Sequence, residues 1–318
     1  MKALVIGAAG FVGNHLVRYL NNIKKWDVSV SKLPDENINI DGVNIYDLDI
    51  MDKGAVKDLF ISIKPNYIFH LAAQSSVALS WKEPELTTDI NINGAINVLD
   101  ALRDSAKDSR LLLIGSGEEY GKILAEENPI KECNLLRPGN IYAVSKVCQG
   151  MLGKIYADAY HLDIIIVRAF NHIGAGQAPI FVVSDFCKQV AEIEYGIRDA
   201  IIYVGNLSAK RDFTDVRDVV RAYSMLVEKG SAGEIYNVGS GISVSVETIL
   251  NMILQISNTP IRIETDCKKF RPIDVSEIRA DITKLINITG WKPEISLIDT
   301  IKETLNYWRE KVLVTSKL

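Results

Sequence analysis

The chain opens on Lys2-Ala3-Leu4-Val5-Ile6-Gly7-Ala8-Ala9-Gly10-Phe11-Val12-Gly13, and this segment constrains the fold more than any other. Ala3 to Ile6 is an unbroken apolar run, as expected of a strand buried on both faces of a parallel sheet. Glycines follow at positions 7, 10 and 13, and a helical pattern then runs to about Leu20. In such a strand-turn-helix, Gly7 permits the sharp turn and Gly10 lets a pyrophosphate approach the backbone. Gly13 lets the helix pack close to the strand. The helix start offers free N–H groups and the positive end of its dipole to phosphate oxygens. The spacing is G-x-x-G-x-x-G rather than G-x-G-x-x-G, so three turn glycines in an ordinary α/β protein are the plainer alternative.

A second segment, Gly139-Asn140-Ile141-Tyr142-Ala143-Val144-Ser145-Lys146, sets a Tyr and a Lys four residues apart in a helical pattern. Those positions share one helix face, so the phenol and the ammonium can point into one cleft. A nearby cation favours the phenolate and lowers a Tyr pKa, which makes the phenol a usable proton donor and acceptor near neutral pH. The spacing alone fits two solvated side chains on a surface helix equally well. The glycine turn in the same chain is what gives it weight.

Strand and helix patterns alternate along the first half. Candidate strands cover 2–6, 26–31, 43–47, 67–71, 110–115 and 163–169, with helical patterns near 11–22, 52–63, 84–106, 138–160 and 179–196. This alternation predicts a doubly wound parallel sheet of the Rossmann type with right-handed crossovers. After about 171 the pattern changes. Short strands (201–204, 234–237, 261–264) mix with helices near 215–229, 245–257, 280–287 and 297–312, and 171–180, 205–214 and 265–279 read as loops. The expectation is an α/β protein in two parts. Residues 1–170 form a dinucleotide-binding domain, with 201–240 partly returning to it. Residues 171–318 are mainly a smaller α/β substrate-binding domain over the carboxyl ends of the main strands, where ligands bind in this architecture.

Composition narrows the function classes. At 318 residues, 47% hydrophobic and 24% charged, the chain reads as an ordinary soluble protein. A net charge of −4 argues against a nucleic-acid partner, which would call for a basic patch. The first strand starts one residue after Met1, leaving no room for a signal peptide, and no apolar run approaches the ~18 residues that span a bilayer. Cys133, Cys148, Cys187 and Cys267 are widely spread, without C-x-x-C or a nearby His pair. They read as reduced thiols of a cytoplasmic protein, with no zinc site and no disulfide framework. His70 and His172 read as structural, because no second His or Cys stands at ligand spacing.

Taken together, the motifs resemble the extended short-chain dehydrogenases, the nucleotide-sugar epimerase, dehydratase and reductase group, over essentially the whole length. The resemblance is carried by the G-x-x-G-F-x-G turn, Asp49-Ile50, His70-Leu71-Ala72-Ala73-Gln74 and Asn91-x-x-Gly94-x-x-Asn97-x-Leu99. Ser116 before Tyr120-Gly121, Arg211-Asp212-Phe213-x-Asp215-Val216-x-Asp218 and Tyr236-Asn237-Val238-Gly239 complete it. Within the group the chain most resembles the GDP-4-keto-6-deoxy-D-mannose reductases. The segments concerned are Ile114 to Gly121, Arg168 to Gly174, Gly176-Gln177 and Phe181 to Gln189. Two positions depart from that pattern: Gly117 replaces a Ser, and Ile141 replaces the Pro before the Tyr. Neither removes a catalytic side chain, although Gly117 takes away a hydroxyl near the sugar.

The resemblance implies a reaction. NADPH, or alternatively NADH, reduces a GDP-linked 4-keto-6-deoxy sugar to GDP-D-rhamnose. Tyr142 donates a proton to the carbonyl oxygen, Lys146 lowers the Tyr pKa and holds the nicotinamide ribose, and Ser116 polarises the same oxygen. Glu118 matches the base of the GDP-mannose 4,6-dehydratases but is shared by the reductases, so dehydratase and 4-epimerase are the rival readings. A non-catalytic NADP-binding regulator is the remote one. The implied cofactor contacts are Gly7, Gly10, Phe11, Val12, Gly13, Ser31, Lys32, Asp49, Ile50, Leu71, Ala72, Ala73, Asn91, Tyr142 and Lys146. Ser31 and Lys32 end the second strand without a carboxylate, which suits a ribose 2′-phosphate, though Asp35 could fold back toward it. The implied substrate contacts are Gln74, Ser75, Ser76, Glu118, Asn171, Val183 and Lys188, with Arg211 and Arg271 as a diphosphate clamp. By the resemblance, helices near 84–106 and 138–160 would pair across a two-fold axis into a homodimer; the alternative is that their outer faces are modestly apolar surface and the protein is a monomer.

Overall fold

The architecture was obtained as a computed structural model, which describes residues 1–257, 259–269 and 275–315. The strands are β1 (Lys2–Ile6), β2 (Asp27–Lys32), β3 (Asn44–Asp47), β4 (Tyr67–His70), β5 (Arg110–Ser116), β6 (Ile164–Ala169), β7 (Asn171–Ile173), β8 (Ile201–Val204), β9 (Lys210–Asp215), β10 (Ile235–Val238), β11 (Ser243–Ser245) and β12 (Arg262–Thr265). The helices are α1 (Phe11–Arg18), α2 (Lys53–Ile63), α3 (Val77–Lys82), α4 (Pro84–Thr88), α5 (Gly94–Ser105), α6 (Ile141–Tyr160), α7 (Val182–Glu194), α8 (Val216–Lys229), α9 (Val246–Ser257), α10 (Thr283–Thr289) and α11 (Leu297–Thr315). Among the described residues, no helix is long and apolar enough to cross a membrane.

Seven parallel strands form the main sheet in the order β10-β6-β5-β4-β1-β2-β3. This is the doubly wound sheet that the alternation predicts. Its interior strands are apolar on both faces because helices cover both. Helices α1 and α8 pack one side with Trp26, Tyr223 and Trp291, while α2, α5 and α6 pack the other around Phe60, Leu99 and Ile166. Each such side chain contributes roughly 1.5–3 kcal/mol when fully buried. The winding reverses between β1 and β4, so the loops leaving those strands diverge and open a crevice at their carboxyl ends. A second core lies under α7, α9 and α11. It is accompanied by two small sheets, β11-β9-β7 and β8-β12.

Three local differences from the sequence expectations have physical causes. The helix expected over 11–22 ends in a π turn, Tyr19–Ile23, and the helix expected over 84–106 is interrupted by a second, Asp89–Asn93. In the second, the buried Asn91 amide is anchored to Gln74 and Ser145, and the extra residue of the π turn accommodates that anchoring. The stretches read as loops at 171–180 and 205–214 contain β7 and the start of β9. Strand β9 is polar in sequence yet buried, because its carboxylates Asp212 and Asp215 have internal partners. Asp212 accepts from the backbone N–H groups of Ser240, Gly241 and Ala280 at 2.7, 3.0 and 3.1 Å. Hydrophobic patterning is blind to a strand of that kind.

Candidate active site

A cavity of about 1300 Å³ opens at the carboxyl ends of β1, β2, β4, β5 and β6. The glycine turn forms its floor. Gly7 has φ +82°, and a Cβ there would lie 2.6 Å from both N and Cα of Ala72, so β1 and β4 can approach only through a glycine. A Cβ at Gly13 would lie 2.6 Å from the Ala8 carbonyl, so the start of α1 needs the same. Gly10 differs. A Cβ there would meet nothing nearer than the Gly7 carbonyl at 3.6 Å, and the residue leaves bare backbone facing the cavity. Phe11 and Val12 line the same floor. Leu71, Ala72 and Ala73 line the wall after β4, with Asp49 and Ile50 after β3 and Ser31 and Lys32 at the end of β2.

The opposite wall is a corner between β5 and α6. Ser116 ends β5 and caps a single 3₁₀ turn, Gly117–Tyr120. Its Oγ accepts from the Glu118 N–H at 3.2 Å while the Glu119 carboxylate accepts from the Ser116 N–H at 2.8 Å. Asn140 caps α6 by accepting from the Ala143 N–H at 2.8 Å. That cap sets Tyr142 in the first turn of α6 and Lys146 one turn later, and both line the cavity with Ser116 and Glu118. The Lys146 ammonium donates to the Ile114 carbonyl at 2.9 Å and to Gln149 Oε1 at 2.8 Å. The Asn140 amide donates to Glu118 Oε2 at 3.1 Å.

The electrostatics of this corner correct one expectation. Lys146 does not bring the Tyr142 phenol down. Burial pushes the phenol well above its ordinary range, the Ser116 hydroxyl draws it back, and Glu118 and Glu119 push it further up. Lys146 is itself pulled down to about 8 by burial, with Glu119 acting in the opposite direction. Its ammonium is turned onto the Ile114 carbonyl rather than onto the phenol.

Most of the expected substrate contacts also reach the cavity: Gln74, Ser75, Ser76, Asn171, Val183 and Arg211 all line it. Arg211 donates through Nη1 to the carbonyls of Lys210 and Val275 at 2.9 and 2.7 Å. The expected substrate contact Lys188 and the expected cofactor contact Asn91 do not line it. Lys188 lies 3.6 Å from Glu192 and over the Trp308 ring, on the outward side of α7. Asn91 is buried behind the wall, where its amide group is bonded to both backbone groups of Gln74 and to Ser145, so it shapes the lining without being part of it. Arg271 lies outside the described residues. Lys32 lines the cavity, but its ammonium is 2.5 Å from Asp47. Asp35 does not line the cavity, whereas Glu36 does, its carboxylate accepting from the Leu33 N–H at 2.9 Å.

The sequence reading passed over Asn140 and Tyr223. The first was visible as a capping residue two positions before Tyr142. The second sits in the amphipathic pattern of α8, where nothing separates a lining Tyr from a core one, and its buried hydroxyl has no partner among the described residues. His172 lines the cavity against the Phe11 ring and bonds the Phe170 carbonyl, while His70 is fully buried at the end of β4.

Comparison with known proteins agrees with this geometry. A family model described as GDP-mannose 4,6 dehydratase matches residues 4–304. The chain belongs to the GDP-mannose 4,6 dehydratase family. It is 30% identical over 311 residues to the GDP-6-deoxy-D-mannose reductase of Pseudomonas aeruginosa, covering 98% of each chain. The solved structure of RMD from Pseudomonas aeruginosa complexed with NADPH superposes with a TM-score of 0.88 at 30% identity, covering 98% of this chain and 99% of that one. The UDP-glucose 4-epimerase of Thermus thermophilus, solved in complex with NAD, superposes at 0.86 with 27% identity, covering 97% and 99%. The resemblance to nucleotide-sugar reductases and dehydratases read from the sequence is thereby met.

Proposed function

We propose that this protein is an NADPH-dependent reductase that converts GDP-4-keto-6-deoxy-D-mannose into GDP-D-rhamnose. The observation that carries the reading is the meeting of Ser116, Tyr142 and Lys146 on one wall of a cavity whose floor is the glycine turn. The bare backbone at Gly10 suits a pyrophosphate, and Ser31 and Lys32 stand where an adenosine ribose would end. The reductase of Pseudomonas aeruginosa, alike along almost the whole chain, supports the substrate class.

A bound dihydronicotinamide supplies the hydride. The chain supplies the rest. Tyr142 Oη delivers a proton to the C4 oxygen of the sugar, and Ser116 Oγ donates a hydrogen bond to that oxygen as charge builds on it. A positioned proton donor contributes roughly 10²–10⁴-fold. Burial keeps the Tyr142 phenol protonated near neutral pH, so it has a proton to give in the reducing direction. Lys146, as an ammonium, would hold the nicotinamide ribose. Arg211 and, by the family resemblance, Arg271 take the diphosphate.

A second reading rests on Glu118. Its carboxylate lines the cavity and is oriented by Asn140, as a base for removing a C5 proton would be, and that chemistry would make the protein a GDP-mannose 4,6-dehydratase. A paired mass-spectrometric assay separates the two. Wild type and Tyr142→Phe are each given GDP-4-keto-6-deoxymannose with NADPH, and in parallel GDP-mannose with catalytic NADP. Gain of two hydrogens in the first assay, lost in the variant, is the expected result. Loss of one water in the second would replace the reductase with the dehydratase. Silence in both would turn the search to UDP-, dTDP- and CDP-sugars or to a binding role.

The reading includes a homodimer. Leu79, Trp81, Leu86, Val144, Met151 and Ile155 are exposed on α3, α4 and α6, a grouping that suits a second copy of this chain. Light scattering of the purified protein reads the mass directly.

A further inference from the structure

Behind the Ser116 corner lies a buried ion pair to which the reaction has so far assigned no part. Glu119 is 0% exposed. Its Oε1 accepts from the Ser116 N–H and its Oε2 from Arg168 Nε, each at 2.8 Å. Arg168, on β6, donates in addition to Tyr120 Oη and to the Glu132 carbonyl, both at 3.1 Å. Space for the carboxylate is made by Gly115, where a Cβ would lie 2.3 Å from Glu119 Oε1. A buried pair of this kind is weak evidence for stability, since well-packed apolar residues often serve as well. Its contacts point elsewhere. One end of the pair fixes the backbone of the residue that presents the Ser116 hydroxyl, and Arg168 and Lys146 hold the carboxylate down against burial, which pushes it up.

We infer that Glu119, held by Arg168, is a positioning residue for the reaction: it fixes Ser116 against Tyr142 and supplies the negative charge that Lys146 faces. The inference rests on the reductase reading above. The titratable groups that act on or with Lys146 are Glu119 from the turn after β5 and His70 from the end of β4. Glu118 and, from α8, Tyr223 act on Tyr142, and Arg168 acts on Glu119. His70 is neutral at working pH, because burial pushes it down to about 3. Glu119 is therefore the carboxylate that opposes the loss of the Lys146 proton, and without it Lys146 would deprotonate below about 8.

The test uses Glu119→Gln and the double variant Glu119→Gln/Arg168→Gln, which leaves no unpaired buried guanidinium. The Lys146 titration is followed in the cofactor-free protein by NMR of ¹³Cε-labelled lysine, assigned with Lys146→Met. In Glu119→Gln the Lys146 midpoint falls by about one pH unit or more, as expected for loss of a neighbouring negative charge, and in the double variant, which also loses the Arg168 cation, it falls by less. The alkaline limb of kcat moves down with it, kcat near neutral pH drops roughly tenfold, and the KM for NADPH changes little. Where Glu119→Gln alone melts early, the double variant carries the test. An unchanged Lys146 midpoint, or a shifted midpoint with an unchanged kcat profile, overturns the inference. A wild type that fails to reduce the keto sugar overturns the reductase reading instead, and the NMR titration still decides whether Glu119 sets the charge on Lys146.

Discussion

The wall of the cavity and its rim are built differently. Along the wall, from the glycine turn to the β5–α6 corner, each functional group is fixed by backbone. Ser116 is a strand end, Tyr142 and Lys146 are successive helix turns behind an Asn140 cap, and Gly7 lies against Ala72 with no room for a side chain. Around the rim, the groups assigned to phosphates are long cations, and the structure has them paired with near neighbours: Lys32 with Asp47 and Lys188 with Glu192. A site residue held by the backbone stays where the sequence pattern implies. A site residue at the end of a flexible stem goes to whichever charge is within reach.

The wall side of this contrast is broken most sharply inside the glycine turn. Gly7→Ala forces an unfavourable φ and drives a methyl into the Ala72 backbone, a cost of roughly 2–5 kcal/mol. Thermal unfolding falls by roughly 5–15 °C if that is right. Gly10→Ala meets no such contact and melts within a few degrees of wild type, yet its methyl enters the space meant for a pyrophosphate and weakens NADPH binding about tenfold or more. If both variants melted alike, the two glycines would not have separate roles.

The rim side is sharpened by the Lys32–Asp47 pair. The Lys32 side chain is 13% exposed and that of Asp47 60%, and a pair so open to solvent is worth about 0–1 kcal/mol. A ribose 2′-phosphate, carrying nearly two negative charges, competes for such a lysine. Asp47→Asn releases Lys32 and raises the preference for NADPH over NADH about two- to fivefold, while Lys32→Ala lowers it by a similar or larger factor. Fluorescence titration with the two cofactors gives both ratios. Ratios that stay put in both variants would shift attention to Glu36, whose carboxylate lines the cavity and would accept from a bare 2′-hydroxyl, favouring NADH.

The same contrast explains what the sequence could and could not convey. The seven-stranded sheet was legible because β1, β4, β5 and β6 are apolar runs spaced by amphipathic helices, and hydrophobicity is what drives both patterns. The glycine turn and the Tyr142–Lys146 spacing were legible because backbone geometry fixes them. Strand β9 was hidden by its buried, internally bonded Asp212 and Asp215. The π turn at Asp89–Asn93 was hidden because one extra residue leaves the helical periodicity nearly intact. The direction of the Tyr142 pKa was misread because spacing reports that a cation is near and says nothing of how deeply the phenol is buried.

Lys188 gives the smallest and cleanest test. It stands on α7 five positions after Val183, which lines the cavity, and the family resemblance offers it as a substrate contact. Its ammonium instead lies beside Glu192 and over Trp308, on a face turned away from the cavity, and a solvent-exposed pair four residues apart on a helix is worth only about 0.3–0.5 kcal/mol. Lys188→Ala should therefore leave KM for the sugar nucleotide within about twofold of wild type and barely move the melting temperature. A KM raised tenfold would mean that the side chain swings inward to meet the diphosphate. The rim would then be assembled by the substrate, and Lys32, Arg211 and Lys188 would have to be read as cations that change partners on binding rather than as groups fixed where the structure has them.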